Sequence, residues 1–318
     1  MADFLLVKTS SMGDVLHNLP VVADICQHVA AARIDWVVEE SLAALPRLHP
    51  QVNRIIPVAM RRWRKSWWRS RAEMRSACAA LRCQHYDLAI DSQGLMKSAL
   101  IMRCAFTVRC GLDWDSAREP LASLFYNRTF SVAKDQHAVK RNRQLAGQAL
   151  GYTPQGAPDY GIRTPDLVLP WLPSGTYAVL LHATSRDEKL WPEPSWIALG
   201  QHLAQSGMRV VLPWGNKMEK SRSERLCLAI PYALCPPQLE LEAAAALLGR
   251  ASAVIGVDTG LSHLAAALSV PTVGIYTATD PGLTGLYAGD KAVNLGGKNA
   301  SPTVGAVITA IHQVSVHA

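Results

Sequence analysis

The amino-acid sequence predicts an α/β protein of two domains, each built on a doubly wound parallel sheet. The chain has 318 residues, 49% of them hydrophobic, which is enough for two separate cores. Short apolar runs alternate with segments of helical periodicity, the order in which parallel sheets are connected. A stretch containing several Pro and Gly, residues 151–175, has no helical period and divides the two series. We therefore place the domains at 1–160 and 175–300, with a final segment at 301–318 that could pack back on the first domain.

The first half is expected to form a sheet of five strands. Residues 3–7 form the first strand, followed by a polar loop and by a helix with apolar residues at helical spacing from Val15 onward. Further apolar runs predict strands at 33–38, 52–58, 86–91 and 108–111. Helices are also expected to begin at Arg118 and Gln136. In such sheets ligands bind beyond the carboxyl ends of the strands, so loops 9–14 and 91–94 should line a site.

The second half repeats this alternation. Its strands are predicted at 177–182, 209–212, 253–257 and 272–276. Its helices are predicted through Trp196, at 242–248 and at 304–314. Each of these strands is followed by a loop with polar residues or Gly, so this domain should also bind a ligand at the carboxyl edge of its sheet.

The segment 257–268 joins a buried strand to a helix through an Asp-Thr-Gly turn at 258–260. Glycine lets a ligand come close to the backbone, and the first N–H groups and the dipole of a helix favour an anion. These features predict a binding site for a nucleotide phosphate. The structural alternative is that Thr259 or Ser262 caps the helix and His263 is an ordinary surface or core histidine.

Five other residues carry candidate chemistry. Asp14, in the loop after the first strand, is either a catalytic group or a carboxylate that complements a helix dipole. The hydroxyls of Thr184 and Ser185 with the cation of Lys189 suit a diphosphate. Arg118 lies near a predicted helix start, where the dipole disfavours a cation, and is a candidate for acceptor binding.

Positive charge is concentrated in the first half. Residues 1–150 contain 21 Lys and Arg against 13 Asp and Glu, a net charge of +8, whereas residues 151–318 contain 11 against 12, a net charge of −1. The first domain should therefore meet an acidic partner: nucleic acid, an anionic sugar, a phosphorylated lipid or a membrane surface. Residues 61–71 combine six cations with three tryptophans, which suits nucleic acid or a membrane interface. A solvated basic loop is the remaining interpretation.

The sequence disfavours several classes of protein. No apolar run has the ~18 to 20 residues of a membrane span, and no basic leader with an apolar segment opens the chain, so we expect the cytoplasm. The seven cysteines are scattered without a Cys-x-x-Cys pair, and we expect them to be reduced and to bind no metal. Neither a P-loop nor a Gly-x-Gly-x-x-Gly motif occurs, which disfavours P-loop enzymes and dinucleotide oxidoreductases.

Five segments carry a similarity to a known family. They are Lys8–His17, Asp35–Glu40, Ile56–Lys65, Ala117–Tyr126 and Val257–Leu264. Taken in order, they closely resemble the lipopolysaccharide heptosyltransferase I enzymes of glycosyltransferase family 9, and the similarity covers nearly the whole chain. The resemblance implies the GT-B architecture, in which two Rossmann-like domains face a central cleft, with the acceptor on the first domain and the nucleotide sugar on the second.

The activity implied by the resemblance is an inverting, metal-independent glycosyl transfer. L-glycero-D-manno-heptose would move from ADP-heptose to the first Kdo sugar of Kdo2-lipid A in the inner core of lipopolysaccharide. The enzyme would use no cofactor and act as a monomer, peripheral on the anionic cytoplasmic face of the inner membrane, and would bind no nucleic acid. Kdo carboxylates and lipid A phosphates would be the acidic partner of the basic first domain.

The resemblance also implies roles for individual residues. Asp14 would be the general base, and Lys189 would stabilise negative charge on the leaving ADP. The implied donor contacts are Thr184, Ser185, Lys189, Glu219 at the ribose, Leu239 at the adenine, Asp258 at the heptose hydroxyls, Thr259, Gly260, Leu261 and His263. The implied acceptor contacts are Ser10, Ser11, Gly13, Arg61, Arg62, Arg64, Lys65, Gln93, Arg118 and His137. Leu239 departs from the methionine that relatives tend to have near the adenine.

Two alternatives remain open at this point. The first is another GT-B protein, such as heptosyltransferase II or a nucleotide-sugar epimerase. The second is a nucleic-acid-binding protein that uses residues 61–71. Against the second alternative, the basic residues belong to one half of the chain, and the other half keeps a donor-type site for which a binding module has no use.

Overall fold

The computed structural model describes residues 2–66 and 68–316. The chain divides into two compact units, with the boundary between Ile162 and Arg163. Each unit contains one parallel sheet with helices in the connections, so the predicted fold class is confirmed. Because connections in parallel sheets are crossovers, the carboxyl ends of the strands in each unit lie along one edge, where the ligand-binding loops are found.

The first unit has a six-stranded sheet in the order β3-β2-β1-β4-β5-β6. Its strands are β1 (Ala2–Val7), β2 (Ala32–Glu39), β3 (Val52–Val58), β4 (Leu88–Asp91), β5 (Arg109–Leu112) and β6 (Arg128–Phe130). Its helices are α1 (Met12–Leu16), α2 (Leu19–His28), α3 (Ala44–Arg47), α4 (Met60–Lys65), α5 (Arg71–Arg82), α6 (Met96–Met102) and α7 (Ala138–Leu150). Two 3-10 helices span Glu40–Leu42 and Pro120–Phe125.

The second unit has a five-stranded sheet in the order β11-β10-β9-β7-β8. Its strands are β7 (Tyr177–Leu181), β8 (Arg209–Val211), β9 (Ala253–Val257), β10 (Thr272–Tyr276) and β11 (Ala292–Gly296). Its helices are α8 (Glu193–Gln205), α9 (Lys217–Ala229), α10 (Leu241–Gly249), α11 (Gly260–Ala267), α12 (Pro281–Thr284) and α13 (Val304–Val316). Short 3-10 helices span Asp187–Lys189 and Gly289–Lys291.

Strands covered by helices on both faces account for the apolar runs of the sequence. Every residue of β7, β9 and β10 is buried. Two of the four edge strands, β6 and β11, were not predicted, because β6 is a three-residue Arg-Thr-Phe segment and β11 is only half-buried. Neither carries the continuous apolar pattern of a covered strand.

Two predicted helices differ in the structure. The helix expected from Val15 onward is two helices, α1 and α2, separated at His17 and Asn18, with a proline as the second residue of α2. Proline lacks the N–H that a continuing helix would need but fits a first turn, so its position marks a new start. The helix expected near Arg118 is the 3-10 helix that begins at Pro120.

The final helix α13 belongs to the second unit. Its buried residues Val307, Ala310, Ile311 and Val314 pack in the core of the second sheet, together with strands β9 and β10. Its apolar face is already occupied by its own sheet.

Two cysteines correct the expectation that all seven are reduced. Cys78 on α5 and Cys104 just after α6 form a disulfide, with their Cα atoms 5.1 Å apart. Because 26 residues separate them in sequence, their spacing gave no sign of the pairing. The other five cysteines are free thiols.

The described residues contain neither a membrane-spanning helix nor a cluster of metal ligands. Among residues 2–66 and 68–316, no helix combines the length and apolarity needed to cross a bilayer. In the same ranges, no cluster of three or more His, Cys, Asp or Glu side chains is arranged to hold a metal ion.

Candidate functional site

The loop after β1 places Asp14 in the first turn of α1. Its carboxylate accepts hydrogen bonds from the backbone N–H of Ser11 at 2.8 Å and from the Ser11 hydroxyl at 3.0 Å. Both bonds use Oδ2, and within the described part of the chain Oδ1 accepts no hydrogen bond. A half-buried carboxylate held by one oxygen presents the other to a ligand, which is the geometry that a general base needs.

Gln93 joins this loop to the loop after β4. Its side-chain Oε1 accepts hydrogen bonds from the backbone N–H groups of Thr9 at 2.9 Å and Ser10 at 3.2 Å. The backbone N–H of Gln93 donates to Asp91 Oδ1 at 2.8 Å. Strands β1 and β4 are neighbours in the sheet, with Val7 paired to Asp91, so the two predicted loops come together at the carboxyl edge. Gln93 therefore positions the loop backbone through its buried side chain.

Two lysines outside the predicted set lie beside the Asp14 loop. Lys8 is buried, and its Nζ donates to the Ser92 carbonyl at 2.7 Å and to Asn142 Oδ1 at 3.4 Å. Burial lowers the pKa of Lys8, while the charges of Asp14 and Asp91 act in the opposite direction. Lys97 on α6 donates to the Ser10 hydroxyl at 2.9 Å. The first unit thus has more positive charge near Asp14 than its sequence motif showed.

The buried Asp91 has a supporting role. Its Oδ2 accepts from the Tyr126 hydroxyl at 2.8 Å, and its Oδ1 accepts from the backbone N–H groups of Gln93 and Gly94. Burial raises the pKa of Asp91 in spite of these hydrogen bonds. Gly94 itself has φ +64°, a left-handed conformation that favours glycine, and its open side faces the backbone of Arg118. This contact brings the predicted acceptor residue Arg118 to the same loop.

His137 and Gly13 lie at two other helix starts of the first unit. His137 caps α7, where its Nδ1 accepts from the backbone N–H of Val139 at 3.2 Å, and its ring packs edge-on to His17, with the centroids 5.3 Å apart. Gly13 lies in the first turn of α1, next to Asp14, and its carbonyl accepts from the backbone N–H of His17. His137 is therefore close to the end of the helix that carries the candidate base.

The predicted cationic segment forms helix α4. Arg61, Arg64 and Lys65 are exposed there, whereas Arg62 is paired with Glu40 at 2.5 Å and Glu73 at 2.7 Å. The hydrogen bond from Arg62 holds the pKa of the Glu73 carboxyl below its usual range. Three of the four cations are thus free of these carboxylates, while Arg62 fastens α4 to α5.

The tryptophans of this segment differ in environment. Trp63 is buried and donates its indole N–H to Glu73 at 2.9 Å, so it is a core residue. Trp68 is 62% exposed, with the Arg71 guanidinium 3.7 Å from its ring centroid. Trp67 lies outside the described residues. The stacking platform on which the nucleic-acid alternative depended therefore lacks Trp63.

Three loops of the second unit converge on Asp258, at the end of β9. The Asp258 carboxylate Oδ2 accepts from Lys189 Nζ at 2.5 Å and from the Thr279 hydroxyl at 2.8 Å, while its backbone carbonyl accepts from the Thr184 hydroxyl at 3.0 Å. These residues follow strands β7, β9 and β10, which are neighbours in the sheet. The structure thus brings together the predicted Thr184, Lys189 and Asp258 and adds Thr279.

Asp258 stays ionised in this cluster. Burial works against its charge, but hydrogen bonds from His263, Lys189 and Thr279 and the charge of Lys189 hold the pKa of Asp258 well below its usual range. His263 is buried, with its Nε2 4.0 Å from Asp258 Oδ1. The carboxylate therefore organises two potential donors to a ligand, one ammonium and one imidazole.

Helix α11 begins directly beside this cluster. Thr259 precedes it with an extended backbone, and Gly260 and Leu261 open its first turn, where helix N–H groups have no partner within the helix. The Ser262 hydroxyl donates to the Val257 carbonyl at 2.8 Å, which fastens the turn to β9. These N–H groups lie beside the Lys189–Asp258 pair, and helix N–H groups together with an ammonium group can stabilise an anion.

Glu219 and Leu239 lie on two loops that are tied together. Glu219 lies in the first turn of helix α9 and accepts hydrogen bonds from the backbone N–H of Gly215 and the side-chain amide of Asn216, both at 2.7 Å. Gln238 donates its side-chain amide to the Gly215 carbonyl at 3.1 Å, which places the half-buried Leu239 next to the Glu219 loop. Ser185 is exposed on the loop between Thr184 and Lys189.

In the second unit, the Asp258 cluster and the start of α11 are suited to bind an anionic leaving group. In the first unit, the Asp14 carboxylate is suited to accept a proton. The residues that sequence reasoning missed are Lys8, Lys97 and Thr279. A signal existed for Thr279, since it follows a buried strand in a polar loop. Lys8 and Lys97 gave no such sign, because their burial and hydrogen bonds depend on segments distant in sequence.

Comparison with known proteins agrees with this arrangement. The model of glycosyltransferase family 9 (heptosyltransferase) matches residues 74–310. Lipopolysaccharide heptosyltransferase 1 of Escherichia coli K12 is 50% identical over 293 residues, which cover 91% of this chain and 92% of the relative. By contrast, lipopolysaccharide heptosyltransferase 2 of Salmonella typhimurium is 23% identical over 305 residues, covering 88% of this chain and 84% of that protein.

Two solved structures are similar over the full length. An E. coli heptosyltransferase with ADP has a TM-score of 0.91 and 46% identity, and covers 98% of this chain and 99% of its own. An E. coli heptosyltransferase with ADP-2-deoxy-2-fluoro heptose has a TM-score of 0.88 and 45% identity, with the same coverage. These structures contain the type of ligand that the Asp258 cluster is suited to bind.

Proposed function

Because this chain belongs to glycosyltransferase family 9, the heptosyltransferases, we propose that its donor is ADP-L-glycero-D-manno-heptose and its acceptor is the first Kdo sugar of Kdo2-lipid A. The protein is a heptosyltransferase of lipopolysaccharide core biosynthesis with the GT-B fold. The observation that carries the proposal is the Lys189–Asp258 cluster at the start of α11, which is suited to an ADP leaving group. The burial of Trp63 and the pairing of Arg62 with Glu40 argue against the alternative of a nucleic-acid-binding protein.

The proposed reaction is a single displacement with inversion at the anomeric carbon. Asp14 takes the proton of an acceptor hydroxyl as the hydroxyl oxygen forms a bond to this carbon. The bond between the anomeric carbon and the ADP oxygen breaks, and the electron pair stays on the diphosphate.

Negative charge that develops on ADP is stabilised by groups already in place. Lys189 and the first N–H groups of α11, at Gly260 and Leu261, replace a metal in this proposal. Thr184 and Ser185 flank the same diphosphate, and Thr259 positions the turn before it. Donor recognition is completed by Glu219 at the ribose, Leu239 at the adenine, and Asp258 and His263 at the heptose.

The acceptor is assigned to the first unit because of its charge. Arg61, Arg64 and Lys65 on α4 are exposed cations that suit lipid A phosphates. Lys97 and Arg118 lie at the loops that surround Asp14 and suit the Kdo carboxylate. Other proposed acceptor contacts are Ser10, Ser11, Gly13, Arg62, Gln93 and His137. The protein is proposed to work as a monomer, peripheral on the cytoplasmic face of the inner membrane.

The experiment incubates the purified protein with Kdo2-lipid A and ADP-heptose in the presence of EDTA, and mass spectrometry monitors the addition of a single heptose. Asp14→Asn should lower turnover by roughly 10²-fold or more, which is the contribution of a positioned base, while ADP affinity measured by calorimetry stays unchanged. Asp135→Asn is the control, an exposed carboxylate of the same unit. Unchanged turnover of Asp14→Asn would remove this residue from the mechanism, and no transfer by the wild type would overturn the acceptor or the independence from metal.

A further inference from the structure

An exposed apolar surface of the first unit is not explained by the donor and acceptor sites. We call it the α6 face, and it comprises Arg82, Leu100, Arg103, Phe106, Leu121 and Leu124. Leu100 is 48% exposed, Phe106 73%, Leu121 53% and Leu124 70%. Contiguous exposed apolar side chains of this kind mark interaction sites more often than isolated ones do.

Helix α6, which carries Leu100, packs against the 3-10 helix Pro120–Phe125, which carries Leu121 and Leu124, and Phe106 follows α6 in the chain. The backbone N–H at the start of α6, on Met96, donates to Glu119 at 2.6 Å, which fixes the 3-10 helix alongside. Both elements are amphipathic, with Ala99, Ile101 and Ala122 buried beneath them. The outward leucines are therefore not needed by the core.

Arginines border the apolar side chains. The Arg103 guanidinium lies 5.7 Å from the ring centroid of Phe125, and the Arg82 guanidinium lies 5.1 Å from that of Phe106. In the part of the chain that the structure describes, neither Arg82 nor Arg103 has a carboxylate partner. Apolar side chains flanked by unpaired arginines match an anionic lipid surface, whose headgroups attract cations and whose acyl boundary accepts apolar groups.

The α6 face adjoins the acceptor loop. Lys97 lies three residues before Leu100, hence on the same side of α6, and its Nζ donates to the Ser10 hydroxyl at 2.9 Å. Ser10 precedes Ser11, which binds the Asp14 carboxylate. A surface one helical turn from the acceptor loop is well placed to contact the membrane in which an acylated acceptor is embedded.

We propose that the α6 face docks on the anionic lipid bilayer that carries the acceptor, with its leucines and Phe106 at the acyl boundary and its arginines at lipid phosphates. This inference rests on the proposed function, since the acceptor has to be a membrane lipid. It assigns the membrane contact to α6 and the 3-10 helix, and thus to residues other than the tryptophans of the 61–71 segment.

The test compares the wild type with Leu121→Ser/Leu124→Ser. Both leucines are exposed, so the fold should be retained, and circular dichroism and ADP affinity verify this. Sedimentation with vesicles of equal parts phosphatidylglycerol and phosphatidylcholine should show roughly tenfold weaker binding for the variant, because two apolar side chains no longer leave water. Val168→Ser/Leu228→Ser, two exposed apolar residues of the second unit, is the matched control and should bind as the wild type does.

A charge variant separates the two components of the contact. Arg82→Gln/Arg103→Gln should weaken binding to the anionic vesicles by several-fold and leave the weaker binding to pure phosphatidylcholine vesicles unaltered. Retained vesicle binding by both variants, or failure of the wild type to bind anionic vesicles, overturns the proposal. Self-association of the wild type in lipid-free solution that the leucine variant loses would show that a second copy occupies this face, which also overturns it.

Kinetics distinguish failure of this proposal from failure of the proposed function. With Kdo2-lipid A in vesicles, kcat/KM of the leucine variant should fall roughly tenfold, in parallel with vesicle binding. With the same acceptor freed of its acyl chains, the variant and the wild type should be equal. An equal fall in kcat/KM on both acceptors would show that the leucines support the active site itself, and it would overturn the membrane proposal. Wild-type protein that binds vesicles but transfers no heptose to either acceptor would overturn the proposed function instead.

Discussion

At the scale of single residues, Asp258 connects the stability of the second unit to its ligand site. Its carboxylate binds Lys189 and Thr279, and its backbone carbonyl binds Thr184. A polar group with this many partners is costly to alter, because each partner that loses its bond stays partly buried. The same contacts hold the pKa of Asp258 below its usual range, so part of the folding free energy depends on pH.

We expect Asp258→Asn to lower the free energy of unfolding by about 1–3 kcal/mol at neutral pH. The folded-state pKa of Asp258 is depressed, so its contribution is present above the unfolded-state pKa of about 4 and is lost as the pH falls towards the folded-state value. Urea unfolding measured between neutral pH and strongly acidic pH checks this. The two stability curves should converge on acidification, and a constant difference would show that the charge is not responsible.

Individual residues differed in how far the sequence revealed them. Asp14, Lys189 and Asp258 each follow an apolar run that is a strand, so their place at the carboxyl edge could be predicted. The pairing of Arg62 with two glutamates could not, because Glu40 and Glu73 come from different elements. Which exposed charged side chains form ion pairs depends on the tertiary packing of the helices. The hydrophobic periodicity of the sequence does not describe that packing.

At the scale of elements, the junction of β9 and α11 depends on a close approach at Gly256. A Cβ there would lie 2.2 Å from the Ser262 hydroxyl oxygen and 2.9 Å from Leu181 Cβ. The Ser262 hydroxyl donates to the Val257 carbonyl and so fixes the first turn of α11. The first turn of α11 can therefore lie where it does only because Gly256, in the preceding strand β9, has no side chain.

We expect Gly256→Ala to destabilise the protein by about 1–3 kcal/mol, because the added methyl group forces Ser262 or Leu181 to move. ADP affinity should fall as well, since α11 shifts at its first turn. Gly305→Ala is the matched control, for which no atom lies within 4 Å of the new methyl group. Thermal unfolding and calorimetric titration with ADP measure both effects. A Gly256→Ala protein with wild-type stability and affinity would show that the junction adapts freely.

Strands made of continuous apolar residues were the easiest elements to predict from the sequence. Strands such as β7 and β9 consist of buried apolar residues throughout and were predicted close to their bounds. The edge strands β6 and β11 were missed, because β6 has only three residues and is largely exposed and β11 is only half-buried, whereas the edge strands β3 and β8 were predicted. Proline positions explain the other differences, since Pro20 and Pro120 mark starts that a simple helical period does not show.

At the scale of the whole molecule, the two units divide the chemistry between them. The predicted linker region contains the boundary at Ile162 and Arg163, and the basic half of the chain corresponds to the first unit. The two-domain organisation was predictable from the repeated alternation of strands and helices. The attachment of α13 was not, because an amphipathic terminal helix can cover any sheet that offers an apolar face, and only the packing of Val307 and Val314 decides.

We expect ADP to protect the second unit selectively from hydrogen exchange. At a concentration about 100 times its Kd, ADP adds about 2.7 kcal/mol to the stability of the unit that binds it. Exchange of amides in the loops 183–190 and 257–264 should slow most, and the amides around Asp14 should be unchanged. Mass spectrometry of peptides from the full-length protein measures this. Protection centred on the first unit would place the nucleotide on the wrong domain.

The ion pair between Lys189 and Asp258 has a consequence for inhibitor chemistry. The free protein already supplies Lys189 with a carboxylate partner, so any anionic inhibitor competes with that internal anion for the ammonium group. A neutral replacement for the diphosphate would leave the pair intact and could direct its hydrogen-bond acceptors to the N–H groups of Gly260 and Leu261 instead.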